Sequence, residues 1–72
     1  MFVITRNEFF TTEEVIIKLT KEEAEKTALK LANEWLEPSF NEWEEVEIYL
    51  NDLKSLEDLG ESGMIQIHEM VL

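Results

Sequence analysis

Carboxylates are the side chains whose number and spacing could do chemistry in this chain. The stretch Glu37 to Glu61 carries nine acids, Glu37, Glu42, Glu44, Glu45, Glu47, Asp52, Glu57, Asp58 and Glu61, against the single base Lys54. Neighbouring acids such as Glu44–Glu45 or Glu57–Asp58 can in principle share acid–base work. With 17 Asp and Glu in 72 residues, however, such pairs arise from composition alone. Asn51-Asp52 and Glu57-Asp58 lack the alternation of oxygen ligands before a glycine that a calcium loop needs. There is no Cys, and the one His, His68, alternates with apolar neighbours in a strand-like run. Ser39, Ser55 and Ser62 lack the context of a nucleophile elbow. The only glycines, Gly60 and Gly63, build no phosphate loop. The expectation is a protein that is not an enzyme and uses no cofactor and no metal.

The same acids read better as a binding surface. Phe40, Trp43, Val46, Ile48, Tyr49, Leu50, Leu53, Leu56 and Leu59 are woven between them. Disordered acidic tails lack such apolar content, so this stretch is expected to fold and hold its charge on a fixed scaffold. The net charge is -11, against a magnitude of about 2–8 that keeps a small domain soluble. It is unevenly divided: residues 1–36 carry net -2 and residues 37–72 net -9, which points to an acidic face. No basic stripe exists to neutralise phosphates, so direct nucleic-acid binding is not expected. An anionic membrane is disfavoured on the same ground. The natural complement is a basic protein. The candidate partner-binding residues are Glu42, Trp43, Glu44, Glu45, Glu47, Asp52, Glu57, Asp58 and Glu61. The competing reading is a solvated acidic face that serves only solubility. Trp43 either anchors an interface or packs inward with Phe40.

These residues need elements to position them. Seventy-two residues make one domain, which buries only about 60% of the surface its unfolded chain exposes. Without a disulfide, core packing must suffice or a second subunit must add to it, which leaves a homodimer open. Met1 to Thr5 reads as a first strand and Val15 to Leu19 as a second, paired as a hairpin. Alternation puts Val15, Ile17 and Leu19 on one face, and the expectation is that this face meets a helix. Phe9 and Phe10 either extend the first strand into the core or form an exposed tip. Thr20-Lys21-Glu22-Glu23 is a capping box that opens a helix running to about Glu37, ahead of Pro38. Ala24, Ala28, Leu31 and Trp35 mark its inner face.

Residues 40–59 admit two readings. Ser39-Phe40-Asn41-Glu42 is a second capping box, and Phe40, Trp43, Val46, Leu50 and Leu53 follow at spacings of three and four, with Gly60 as a stop. That predicts one helix from about Phe40 to Leu59, with Glu44, Glu47 and Asp58 in a stripe about 60° wide. The rival is a strand over Glu45 to Leu50 followed by a short helix. Met64 to Leu72 closes the chain as a strand, with Ile65, Ile67 and Val71 on one face. The fold class is α+β: a small antiparallel sheet of three or four strands, from an N-terminal hairpin and a C-terminal strand, with one or two helices on one face. No leader peptide and no membrane span is expected, and a cytoplasmic location is the default.

The acid-laden segment WEEVEIYLNDLKSLEDLGE, with the small size, the charge and the lack of Cys, resembles a class of bacteriophage-encoded inhibitors. Anti-CRISPR proteins and DNA mimics belong to that class. The resemblance covers about a quarter of the chain and carries over no functional residue, because the class has no common fold or signature. It implies a non-enzymatic inhibitor that occupies the nucleic-acid-binding surface of a host or defence protein in the host cytoplasm.

Overall fold

The computed structural model describes residues 1–8, 11–55 and 64–71. Its elements run β1 (Phe2–Glu8), β2 (Thr11–Lys18), α1 (Lys21–Trp35), α2 (Trp43–Ser55) and β3 (Ile65–Glu69). The three strands form one antiparallel sheet in the order β2-β1-β3, with both helices on one face. The α+β expectation holds. The helices carry the chain from one edge strand to the other, and α1 touches all three strands.

The hairpin is longer than its apolar runs indicate. β1 extends to Glu8 and β2 begins at Thr11, so the stretch expected as a connection, Arg6 to Glu14, is mostly paired strand. Phe9 and Phe10 lie outside the described residues. A bulge falls where Arg6 pairs with Glu14 but Asn7 pairs with Thr12, leaving Glu13 as the extra residue.

The register fixes which side chains meet the helices. Ile4 is opposite Ile16 on one side and Ile67 on the other, and Arg6 is opposite Ile65. Directly paired residues share a face. Ile4 and Ile65 are buried with Ala24, Ala28, Leu31, Val46 and Leu50 in one core cluster, and Phe2, Ile16 and Ile67 pack against it. This corrects the expected packing of α1 on Val15, Ile17 and Leu19. Those three are 60%, 57% and 80% exposed and point away from the helices. Both parities of the VIIKL run are apolar, so alternation alone could not choose between them. The choice is made by pairing with Ile4 across the hairpin. Val71, expected on the face of Ile65 and Ile67, lies beyond β3 and is 92% exposed.

α1 starts as its sequence dictates. Thr20 is the N-cap, and its Oγ1 accepts the Glu23 amide at 3.2 Å. Ala24 and Ala28 are fully buried, so the helix backbone lies close to the sheet. Trp35 is half exposed rather than a core residue. It is the last residue of the helix and covers Arg6, whose guanidinium carbon is 3.9 Å from the ring centroid. The helix stops at Trp35, two residues before the expected end, where Leu36 turns extended with φ -97° and ψ 150°.

α2 settles the two readings of residues 45–50: they are helical, and the strand alternative falls. The helix begins at Trp43, not near Phe40. Two local devices displace the expected start. Asn33 on α1 holds the Phe40 backbone from both sides, with Phe40 N donating to Oδ1 at 2.7 Å and Nδ2 donating to the Phe40 carbonyl at 3.0 Å. Glu45 then accepts the Asn41 and Glu42 amides on Oε1, each at 3.0 Å. A carboxylate three residues past Glu42 caps the helix there, so the Ser39 capping box does not form around this start. The expected continuation to Leu59 lies outside the described residues beyond Ser55.

Candidate partner-binding surface

The inward stripe of α2 decides which acids face outward. Val46 is fully buried, Leu50 nearly so, and Trp43, Tyr49 and Leu53 are partly buried. Phe40 is buried ahead of the helix and meets the Tyr49 ring at 5.4 Å, tilted by 57°. With about 100° of rotation per residue, this stripe turns Glu44, Glu45, Glu47, Ile48, Asn51 and Asp52 outward. All six are exposed. Glu42 is exposed just before the first turn. Glu57, Asp58 and Glu61 lie outside the described residues, so the expected Glu44–Glu47–Asp58 stripe reaches only as far as Asn51 among them.

The acids differ in role. Glu44 and Glu45 stand in the first turn, where negative charge suits the positive end of the helix dipole. Glu45 is engaged by two backbone amides, so it is part of the scaffold as well as of the surface. Glu44 and Glu47 project from the next positions around the axis.

Ile48 was not among the residues singled out by charge, yet it is central to the surface. It is 56% exposed. Glu44 and Asp52 are one turn before and after it, and Glu45 and Asn51 are three residues away, so all four are its neighbours on the helix surface. An apolar side chain ringed by acids is the arrangement of an interface anchor with a polar rim. The signal in the sequence was its misfit: Ile48 falls outside the stripe of Trp43, Val46, Leu50 and Leu53.

Beside this surface a groove of about 560 Å³ opens between the helices and β3. Glu25, Glu47 and Glu69 line it, with Trp43 as an aromatic wall and Lys21 as the only Lys or Arg among the described lining residues. Trp43 packs against the core and also lines the groove.

Among the described residues no group of three or more His, Asp or Glu side chains could hold a metal ion. None of the described helices is long and apolar enough to cross a membrane. Comparison with protein-family models, curated proteins and solved structures finds no match. The surface alone carries the functional argument.

Proposed function

We propose that this protein is a non-enzymatic inhibitor that docks its acidic α2 surface onto a basic, nucleic-acid-binding surface of another protein, in the manner of an anti-CRISPR protein or a DNA mimic. The observation that supports this reading is the exposed Ile48 set among Glu44, Glu45 and Asp52 on the outer face of α2. Fixed carboxylates can occupy sites that otherwise hold phosphates, and Arg and Lys are the groups that would receive them. The apolar centre adds what a purely electrostatic contact lacks, a group whose burial slows dissociation. The adjoining groove extends the same chemistry, because Trp43 with Glu25 and Glu47 suits an inserted Arg or Lys side chain.

The test is capture of partners from lysate at low and high salt, followed by competition. A basic partner should be retained at low salt and released as salt screens the contact. Its binding to nucleic acid, followed by gel shift, should fall as this protein is added. The double reversal Glu44→Lys with Glu47→Lys should lose the partner, and Ile48→Ala should weaken it without changing its salt dependence. A partner that binds the double reversal as tightly as the parent would reduce the acids to a solvated face.

A further inference from the structure

The side of the sheet turned away from the helices carries the second feature that calls for an occupant. On it stand Val3 and Thr5 of β1, Val15 and Ile17 of β2 and Gln66 and His68 of β3, with Leu19 and Met70 following the strand ends. Val15, Ile17, Leu19 and Met70 are between 47% and 80% exposed. Over residues 1–7, 15–19 and 66–70, alternation sends every Arg, Lys and Glu side chain, namely Arg6, Lys18 and Glu69, to the helix side. Among those residues this face holds no charged side chain, in a chain of net charge -11, and Glu13 stands exposed at the bulge beyond them.

We propose that a second copy of this chain covers that face, joining two sheets back to back with both helical layers outermost. Charge selects this occupant. A basic partner would be drawn to the acids of α2, whereas this face offers it no carboxylate, only Thr5, Gln66 and His68 beside the apolar side chains. Two copies of so acidic a chain repel one another, and this is the approach that keeps their acidic helices farthest apart. The strand edges are poorly suited to pairing instead: β2 is bulged at Glu13, next to Glu14, and β3 is only five residues long. A two-fold axis perpendicular to the strands lays β2 antiparallel over its counterpart, so with the axis at Ile17 that residue meets its own copy and Val15 meets Leu19, while on β3 His68 meets its own copy and Gln66 meets Met70. Such isologous contact closes at two subunits.

Size sets the strength. Three strands about 4.8 Å apart and about six residues long give a flat footprint of ~300 Å². That matches the largest apolar patch of an ordinary small protein, about 300–600 Å². It falls short of the ~800 Å² per partner in a tight complex. The dimer is therefore weak, and its population rises with chain concentration.

Sedimentation equilibrium of the full chain tests this from micromolar to millimolar concentration. The mass should climb from the 8.5 kDa chain toward twice that value. Association should tighten as salt rises, because screening removes repulsion while apolar contact persists. This is opposite in sign to the salt response of the acidic surface. Ile17→Lys should weaken the dimer by about tenfold or more, because it buries an unpaired charge. If circular dichroism shows that variant unfolded, Val15→Thr with Ile17→Thr decides, since threonine keeps the strand preference and loses the apolar contact. Glu44→Lys with Glu47→Lys should leave the dimer intact. A chain that stays at 8.5 kDa throughout, or a dimer that the face substitutions do not weaken, overturns the proposal. So does a monomeric chain whose Ile17→Lys variant loses a captured partner, which would give the face to that partner.

Discussion

Asn33 joins α1 to the segment that launches α2 through one side-chain amide and two backbone hydrogen bonds, both to Phe40. Phe40 is buried, so its N–H and C=O have little recourse to water once the amide is removed. Asn33→Ala should therefore cost about 1–3 kcal/mol in denaturant titration. Asn33→Asp, which keeps the acceptor and loses the donor, should fall between it and the parent. Arg6 is the other polar residue on which the fold leans. It is the one buried charged side chain among the described residues, held under Trp35 and near Glu8 and Glu14 at 3.3 and 3.6 Å. Both glutamates are about 40% exposed, so the ion pairs contribute about 0–1 kcal/mol each. The indole cover matters more: Trp35→Ala should cost about 1–2 kcal/mol and Trp35→Phe much less, whereas Glu14→Gln should be near neutral. A large loss from Glu14→Gln would reverse that ranking.

At the scale of elements, what the sequence made legible follows the reach of each signal. The start of α1 was readable because Thr20 and Glu23 lie three residues apart and interact directly. Its inner face was readable because Ala24, Ala28 and Leu31 repeat at helical spacing. The face of β2 was not readable, because Val15, Ile16 and Ile17 are all apolar and the choice rests on contacts with Ile4 from another strand. The start of α2 was displaced by Asn33, seven residues before the backbone it holds. Among the candidate site residues, Glu44, Glu47 and Asp52 are exposed as charge implied, while Glu45 proved to be a cap and Ile48 was overlooked because charge drew attention to its neighbours. These assignments make paired predictions. Leu31→Ala and Ile4→Ala should each cost about 2–5 kcal/mol, as buried large-to-small changes do. Ile17→Thr, measured at concentrations too low for dimers, should stay within about 0.5 kcal/mol of the parent. Glu45→Ala should lose about 1 kcal/mol through the cap in addition to its first-turn charge, whereas Glu44→Ala should lose only the first-turn charge, about 0.3–1 kcal/mol. Equal losses from Ile4 and Ile17 would mean that the sheet faces are reversed.

At the scale of the whole molecule, the field of a net charge of -11 acts on folding and on binding alike. Among the described residues eight of the fourteen acids lie on the two helices, so repulsion within the folded chain is concentrated there, and a small core leaves little stability to oppose it. Raising salt from about 20 mM to about 500 mM shortens the screening length from roughly 20 Å to under 5 Å. The melting temperature should rise with it, by about 4–8 °C for each kcal/mol of repulsion removed in a domain of this size. The double reversal Glu44→Lys with Glu47→Lys changes the net charge from -11 to -7. It touches no core residue, and the Lys it places in the first turn of α2 opposes the helix dipole by about 0.3–1 kcal/mol, so any gain must come through the field and exceed that cost. It should melt higher than the parent at low salt, and the two melting curves should converge at high salt. The same variant that stabilises the fold should abolish capture of a basic partner, because α2 would then present Lys where the partner requires carboxylates. A difference in melting temperature that persists undiminished at high salt would trace the gain to a local contact on α2 and not to the net charge.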